Sequence, residues 1–261
     1  MRIGREEQDR FALDSQRKCE AARKARRFDK EIVPIEVPGE KGTTVTITVD
    51  EHPRDGATLE SLSKLPPVFD AKNGTVTAGN SSGITDGAAA LLLTSLAEAK
   101  KSGLPILATL GRSAEVGVDP SIMGIGPVPA VRQLCEAAKI EVDAFDLIEL
   151  NEAFAAQVIA CDRELKLPRD RLNVNGGAIA LGHPIGCTGA RIVATLVHEM
   201  ESRDAKRGLA TLCVSGGMGV ALEIVALTGA RRAPLAPDDW YHELPKELSR
   251  KVDSWQSKVW V

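Results

Sequence analysis

Residues 176–186 read Gly176-Gly177-Ala178-Ile179-Ala180-Leu181-Gly182-His183-Pro184-Ile185-Gly186, and with Gly189 just beyond, five glycines surround one histidine. Glycine adopts positive φ without strain and lets the backbone approach a ligand closely. A loop of this composition that ends just before a helix aims its histidine where a helix N-terminus favours developing negative charge.

The flanks of this loop decide the fold, because strand and helix signals alternate on both sides of it. Upstream, residues 106–114 read as a strand, 128–139 as a helix, 145–150 as a strand and 153–165 as a helix. Residues 173–189 form the glycine-rich loop, followed by a helix at 190–203 and strands at 209–214 and 219–227. This βαβαβ alternation predicts a layered α/β fold.

Farther upstream, residues 5–28 predict a helix with Phe11, Ala12, Ser15, Cys19 and Ala22 on one face. Residues 32–37 and 43–49 are β-rich and separated by Pro38-Gly39, the pattern of a short hairpin. Residues 52–80 are mostly loop with a helical piece at 58–64, and so long a segment with little regular structure usually binds something. Within 86–95 the run Ala88-Ala89-Ala90-Leu91-Leu92-Leu93 suits a buried strand or a helix, and propensity favours helix. From Arg231 the chain changes character: it holds Trp240, Tyr241, Trp255 and Trp260, all the tryptophans and the one tyrosine. There Leu244, Leu248, Val252, Trp255 and Val259 fall at the spacing of an amphipathic helix packed on the domain.

Composition narrows the function classes. The 261 residues are 43% hydrophobic and 26% charged, ordinary for a soluble globular protein. A net charge of −3 argues against nucleic acid or an anionic membrane as the main partner. The basic cluster around Arg17, Lys18, Arg23, Lys24, Arg26 and Arg27 is interleaved with Asp14 and Glu20, as on a solvated helix face. Five cysteines without a C-x-x-C pair indicate reduced thiols, and with no visible signal or transit peptide the expected location is the cytoplasm. No apolar run approaches the ~20 residues of a membrane span.

Two further segments carry chemistry: Asn151-Glu152-Ala153-Phe154, and Cys213-Val214-Ser215-Gly216-Gly217-Met218-Gly219. Each sits just after a predicted strand or in a loop, where α/β folds place their sites. His183 could be a buried structural histidine and Cys213 an inert thiol, but their shared glycine-rich setting favours a chemical role. Asn151 suits a helix N-cap as well as a catalytic amide. A phosphate loop at 182–189 lacks the G-x-G-x-x-G spacing, and a metal on His183 and Cys187 lacks further ligands, so no metal is expected.

With these segments in view, the chain resembles the thiolases, on the acetyl-CoA C-acetyltransferase side of that family. The likeness runs from about Gly4 to Leu227. It also takes in Asp50-Glu51-His52-Pro53-Arg54-Asp55-Gly56, Thr75-Val76-Thr77-Ala78-Gly79-Asn80-Ser81-Ser82-Gly83, and Gly117-Val118-Asp119-Pro120 with Met123-Gly124-Ile125-Gly126-Pro127. The resemblance implies a layered αβα fold. Residues 1–103 would belong to an N-terminal domain including its coenzyme A loop region, 104–229 would form the C-terminal domain, and 230–261 an appended tail. It makes residues 86–95 a buried strand.

The resemblance also implies a reaction: two acetyl-CoA condense to acetoacetyl-CoA, or the product is cleaved by a thiol. A cysteine carries the acyl group, because thioester exchange needs a thiolate. The α-proton of the second thioester is very weakly acidic, so its removal needs a positioned base and a stabilised enolate. By resemblance Cys213 is that acid/base. His183 would help generate the nucleophilic thiolate and hydrogen-bond the thioester or enolate oxygen, with Asn151 holding a water beside it. The Ser215 amide would serve a second oxyanion hole, provided its φ is not left-handed. Coenzyme A would meet Arg54 and Ser61 at its adenine end, Leu65 and Phe69 beside the nucleotide and pantetheine, and Ala78 and Ser82 at the amides. Met123 and Phe154 would shape the acyl pocket. Acyl-CoA thioesters are then substrates and no separate cofactor is implied.

The resemblance places the nucleophilic cysteine in an N-terminal segment that this sequence does not match. Cys19, Cys135 and Cys161 fall in predicted helices, Cys187 in a position open to alanine, and Cys213 in the acid/base context. The expectation is therefore a truncated thiolase whose unaided activity is doubtful. The family forms homo-oligomers, with much of the contact in the unmatched half. The alternatives are a degradative 3-ketoacyl-CoA thiolase and a non-catalytic coenzyme A-binding module.

Overall fold

The computed structural model describes residues 2–227; the predicted helix over the Trp-rich tail lies outside them. Contacts divide the chain into two compact units, one comprising residues up to Leu91 with Ala108–Ala226, the other including Leu92–Leu107.

In the first unit, helix α1 spans Arg5–Lys24, with Glu6 and Glu7 in its first turn and Arg23 and Lys24 in its last, each suited to the helix dipole. It ends four residues short of the expected limit, and Arg26 follows with φ 56°. The predicted hairpin forms: β1 (Ile35–Pro38) pairs antiparallel with β2 (Thr44–Ile47). The loop region carries one short helix, α2 (Leu59–Ser63), started by a capping box between Thr58 and Ser61.

The second unit's described segment holds helix α3 (Leu96–Lys101), capped by Ser95, whose hydroxyl accepts from the Glu98 amide at 3.2 Å. Residues 86–95 form neither the buried strand nor the helix expected of them. Leu91, Leu92 and Leu93 are 39%, 56% and 64% exposed, and without a hydrogen-bonded neighbour a strand has no ladder to join.

The site-bearing layer is a four-stranded sheet. Strand β3 (Thr109–Gly117) leads through a 3-10 segment, Pro120–Ile125, into α4 (Pro127–Ala138). Strand β4 (Leu147–Leu150) is followed by α5 (Ala155–Leu165), the one-turn α6 (Ala178–Leu181) and α7 (Thr188–Arg203). Strands β5 (Arg207–Val214) and β6 (Met218–Val225) close the series in the order β3-β6-β5-β4. Only β4 and β5 run parallel, joined by the helical crossover that such a pair requires.

Side chains alternate across this sheet with a period of two. Ile148, Leu150 and Leu209 pack with Val131 and Leu134 of α4 and Val158 of α5, around the fully buried Phe145. Leu147, Ala210 and Ile224 pack on the opposite side with Ile192, Leu196 and Met200 of α7. Helices thus cover both faces, the αβα layering expected from the sequence. All four residues of β4 are buried, so its end is fixed firmly in place.

Candidate active site

Strands β4 and β5 are parallel, with Leu150 opposite Thr211, so their C-terminal ends emerge side by side. The Asn151 amide donates to the Thr211 carbonyl at 3.0 Å, which sets Asn151 at that shared end. Cys213 lies two residues beyond Thr211 on β5, opposite Gly219 of β6, and is 7% exposed.

The turn from β5 to β6 depends on glycine. Gly217 sits at φ 91°, and a Cβ there would lie 2.3 Å from the Val118 carbonyl. That close approach lets Val118 donate its amide to Gly217 at 2.7 Å. The contact docks the segment bearing the half-buried Met123 against the Cys213 hairpin. Ser215 is not among the residues with positive φ, which meets the condition for using its amide.

His183 reaches this region through a strip of main chain. The His183 amide donates to Gly83 at 2.9 Å, and His183 forms a parallel bridge with Ile84. Next to Gly83, the Ser82 amide and hydroxyl both donate to the Ala153 carbonyl, at 3.0 and 3.2 Å. Ser81 bridges Phe154, and Asn80 accepts from the Ala155 amide at 2.9 Å. Residues 80–84 thereby stitch the histidine loop to the loop that follows β4. Gly182, at φ 92°, has room for no Cβ beside Thr85.

The electrostatics of the three groups differ. Both side-chain polar atoms of Asn151 are buried without a protein partner. A buried amide in that state needs a ligand or water to satisfy it. Burial first, and the Arg191 guanidinium second, hold the His183 imidazolium below its usual pKa, so the ring is neutral near pH 7. Burial pushes the Cys213 thiol up, opposed by a hydrogen bond from its own amide. Cys213 opposes the ionisation of Cys161 of α5, whose Sγ donates to the Gly124 carbonyl.

The predicted coenzyme A residues separate into two groups. Phe69, 76% exposed, meets Phe154 edge to face with ring centroids 6.2 Å apart, and Ser82 is tied to Ala153. Phe69 and Ser82 thus both contact the segment that follows Asn151 in the chain. Arg54 is exposed, with its amide held by Gln16 Oε1 at 3.0 Å, and Ala78 is exposed between buried Thr77 and Gly79. Leu65 is half-buried and packs on the cluster of Ala12, Leu13 and Leu62. The Ser61 hydroxyl closes the cap of α2, accepting from the Thr58 amide at 3.1 Å, a structural use beside the proposed binding one.

Several residues to which the sequence gives no role of their own organise the site. Glu152 is buried and accepts from Ser15 Oγ at 2.7 Å, Asn173 Nδ2 at 2.9 Å and the Ile179 amide at 3.2 Å. It thus fixes the glycine loop against β4, although burial still raises its pKa. His52 Nδ1 donates to the Ala180 carbonyl at 2.8 Å, since a carbonyl only accepts. Thr188 contacts the ring of His183 itself, at 2.7 Å. Glu152 adjoins Asn151 in an already conspicuous motif, but nothing in the spacing announces Ser15 or His52. Among the described residues no group of three or more His, Cys, Asp or Glu is placed to hold a metal, and no helix is long and apolar enough to cross a membrane.

Comparison with known proteins matches both parts of the chain to one family. The family model of the thiolase N-terminal domain matches residues 1–97, and that of the thiolase C-terminal domain matches residues 104–226. An acetyl-CoA acetyltransferase of Cupriavidus necator is 55% identical over 222 residues, covering 85% of this chain and 56% of the relative. One from Pseudomonas aeruginosa is 57% identical with the same two coverages. Among solved structures, the Bacillus anthracis acetyl-CoA acetyltransferase superposes with TM-score 0.83 at 50% identity, covering 86% of this chain and 57% of that one. Human mitochondrial 3-ketoacyl-CoA thiolase gives TM-score 0.80 at 48% identity, covering 86% and 56%. The chain therefore spans a little over half the length of these relatives.

Proposed function

The chain belongs to the thiolase family, and from that premise we propose that it acts on coenzyme A thioesters as an acyltransferase of the acetyl-CoA acetyltransferase type. Its reaction is the condensation of two acetyl-CoA to acetoacetyl-CoA and the reverse thiolysis. The observation that carries the reading is the buried, unpartnered amide of Asn151 at the shared end of β4 and β5, with Cys213 on the neighbouring strand. An orphaned amide at that place suits a water that hydrogen-bonds a thioester oxygen.

In this mechanism the chain's residues divide the enolisation step. Cys213 as thiolate takes the α-proton, and as thiol returns one to the leaving sulfur. His183, once Nε2 has taken a proton, and the water on Asn151 donate to the enolate oxygen, while the Ser215 amide serves the second oxyanion. Arg54 and Ser61 receive the nucleotide, Leu65, Phe69, Ala78 and Ser82 line the pantetheine, and Met123 and Phe154 bound the acyl group. Two thiols are poor candidates for the acyl acceptor: burial pushes Cys19 and Cys161 each up to about 12. Burial also raises Cys135 and Cys187.

A second reading, a 3-ketoacyl-CoA thiolase for longer chains, rests on the 48% identity with the human mitochondrial enzyme, below the 55% and 57% with the two bacterial acetyl-CoA acetyltransferases. Calorimetric titration with coenzyme A tests the shared part of both. Binding should weaken roughly 3- to 10-fold in Arg54→Ala and in Phe69→Ala. Absence of binding to the unaltered chain would remove the proposal.

A further inference from the structure

We propose that Thr188 is a positioning residue that locks His183 in the Nδ1–H tautomer, so that Nε2 first accepts the proton of an incoming thiol and then, as Nε2–H, donates to the thioester oxygen. The use of that tautomer in catalysis rests on the acyl-CoA reading above; the tautomer itself rests on hydrogen-bond geometry alone.

Thr188 is the first residue of α7 and is fully buried. Its hydroxyl oxygen lies 2.7 Å from His183 Nδ1 and 3.0 Å from the Pro184 carbonyl, to which it donates. A hydroxyl has one hydrogen, and a carbonyl can only accept. With that hydrogen committed to Pro184, the contact to the ring needs its hydrogen from Nδ1. Turning the hydroxyl toward the ring would leave two oxygens facing each other at 3.0 Å without a proton between them. The Pro184 carbonyl already draws the Cys187 and Thr188 amides, at 2.9 Å each, so it is the common acceptor at this helix start. The main chain of His183 is held independently by Gly83, which leaves ring rotation as the freedom Thr188 removes.

Two roles were assigned to this histidine that a single protonation state cannot fill. A base needs a lone pair on the nitrogen that faces the substrate, whereas an oxyanion donor needs a hydrogen there. With Nδ1–H fixed, the two follow in order. The thiol S–H bond breaks and its proton goes to Nε2, giving thiolate and imidazolium. The same Nε2–H then faces the carbonyl oxygen as negative charge grows on it. Burial and Arg191 keep the ring neutral beforehand, which supports the first step. The logic is that of a base whose second nitrogen is held by an orienting group.

The test is a long-range 1H–15N spectrum of the chain labelled in its histidine rings, recorded at pH 8 without coenzyme A, with the His183 signals assigned by His183→Gln. The expected spectrum has a pyrrole-type nitrogen at Nδ1 and a pyridine-type nitrogen at Nε2. Thr188→Ser keeps that pattern, and Thr188→Val shifts the ring toward Nε2–H, with circular dichroism reporting that each variant is folded. A wild-type ring already in the Nε2–H form overturns the assignment without reference to any variant, and so does a folded Thr188→Val with an unchanged pattern. Because the spectrum needs no ligand, failure of the tautomer and failure of coenzyme A binding are read separately.

Discussion

The amide of His183 donates to the carbonyl of Gly83 at 2.9 Å, a bond between residues a hundred positions apart. Ser82, the next residue back, fastens to Ala153. The histidine loop and the loop after β4 are therefore held by one short strip of main chain.

Gly83 has no space for a side chain. A Cβ there would lie 2.1 Å from His52 Nε2 and 2.7 Å from its Cδ2. Gly83→Ala should displace His52 from the Ala180 carbonyl and cost about 1–3 kcal/mol, read as a lower urea midpoint at unchanged slope. Stability equal to the parent would show that the strip is looser than described.

Glu152 gathers three donors from three distant parts of the chain. Glu152→Ala removes the acceptor of the Ser15 hydroxyl hydrogen, of one Asn173 amide hydrogen and of the Ile179 amide, although Asn173 keeps the Leu150 carbonyl, a loss of about 3 kcal/mol. Glu152→Gln retains part of the acceptor set and should lose less. Denaturant unfolding of the two variants side by side checks the order.

Gly219 on β6 faces Gly126 at the start of α4, where a Cβ would come 1.9 Å from the Gly126 carbonyl oxygen. Gly219→Ala must push the segment bearing Met123 away from the Cys213 hairpin. The expected result is a loss of about 1–3 kcal/mol in stability together with weaker coenzyme A binding. Loss of stability alone would separate the hairpin contact from the site.

Two carboxyls give the protein a particular pH dependence. Burial pushes Glu31 up to about 7 and Glu149 up to about 8, although Arg191 draws both down. The folded state then holds protons that the unfolded chain releases near pH 4.5, so this contribution is fully present below that value. It is lost as pH rises through 7 and then 8. The unfolding free energy measured from pH 5 to pH 9 should fall by an amount on the order of 1–3 kcal/mol, seen as a falling midpoint, and Glu149→Gln should flatten the fall. A midpoint that rises over this range would reverse the sign.

The layered part of the fold was legible because periodicity there reports local facts: α4, α7 and strands β4 to β6 appear within a few residues of their expected limits. Helix α1 stops earlier than its amphipathic pattern, at Lys24, where the chain turns through Arg26. Residues 86–95 defeated both readings, since alanine and leucine suit a helix or a buried strand, and only a neighbouring strand could decide between them. Within the site, His183 and Cys213 stood out in glycine-rich settings, and Asn151 at the end of an expected strand. Their supports did not: Ser15 and Thr188 matter through contacts made by folding, and a lone hydroxyl in a sequence carries no mark of its future partner.

The central claim is that Cys213, beside the unpartnered amide of Asn151, can enolise an acyl-CoA. The direct measurement is deuterium uptake into the methyl group of acetyl-CoA in heavy water, followed by NMR, because this step requires no acyl-accepting cysteine. Exchange should exceed the buffer rate and grow between pH 7 and pH 9, as more of the Cys213 thiol, whose pKa burial raises, becomes thiolate. Cys213→Ala should remove a factor of about 10²–10⁴, the range expected for a positioned base. Exchange at the buffer rate with the unaltered chain, or undiminished exchange in Cys213→Ala, would contradict the account.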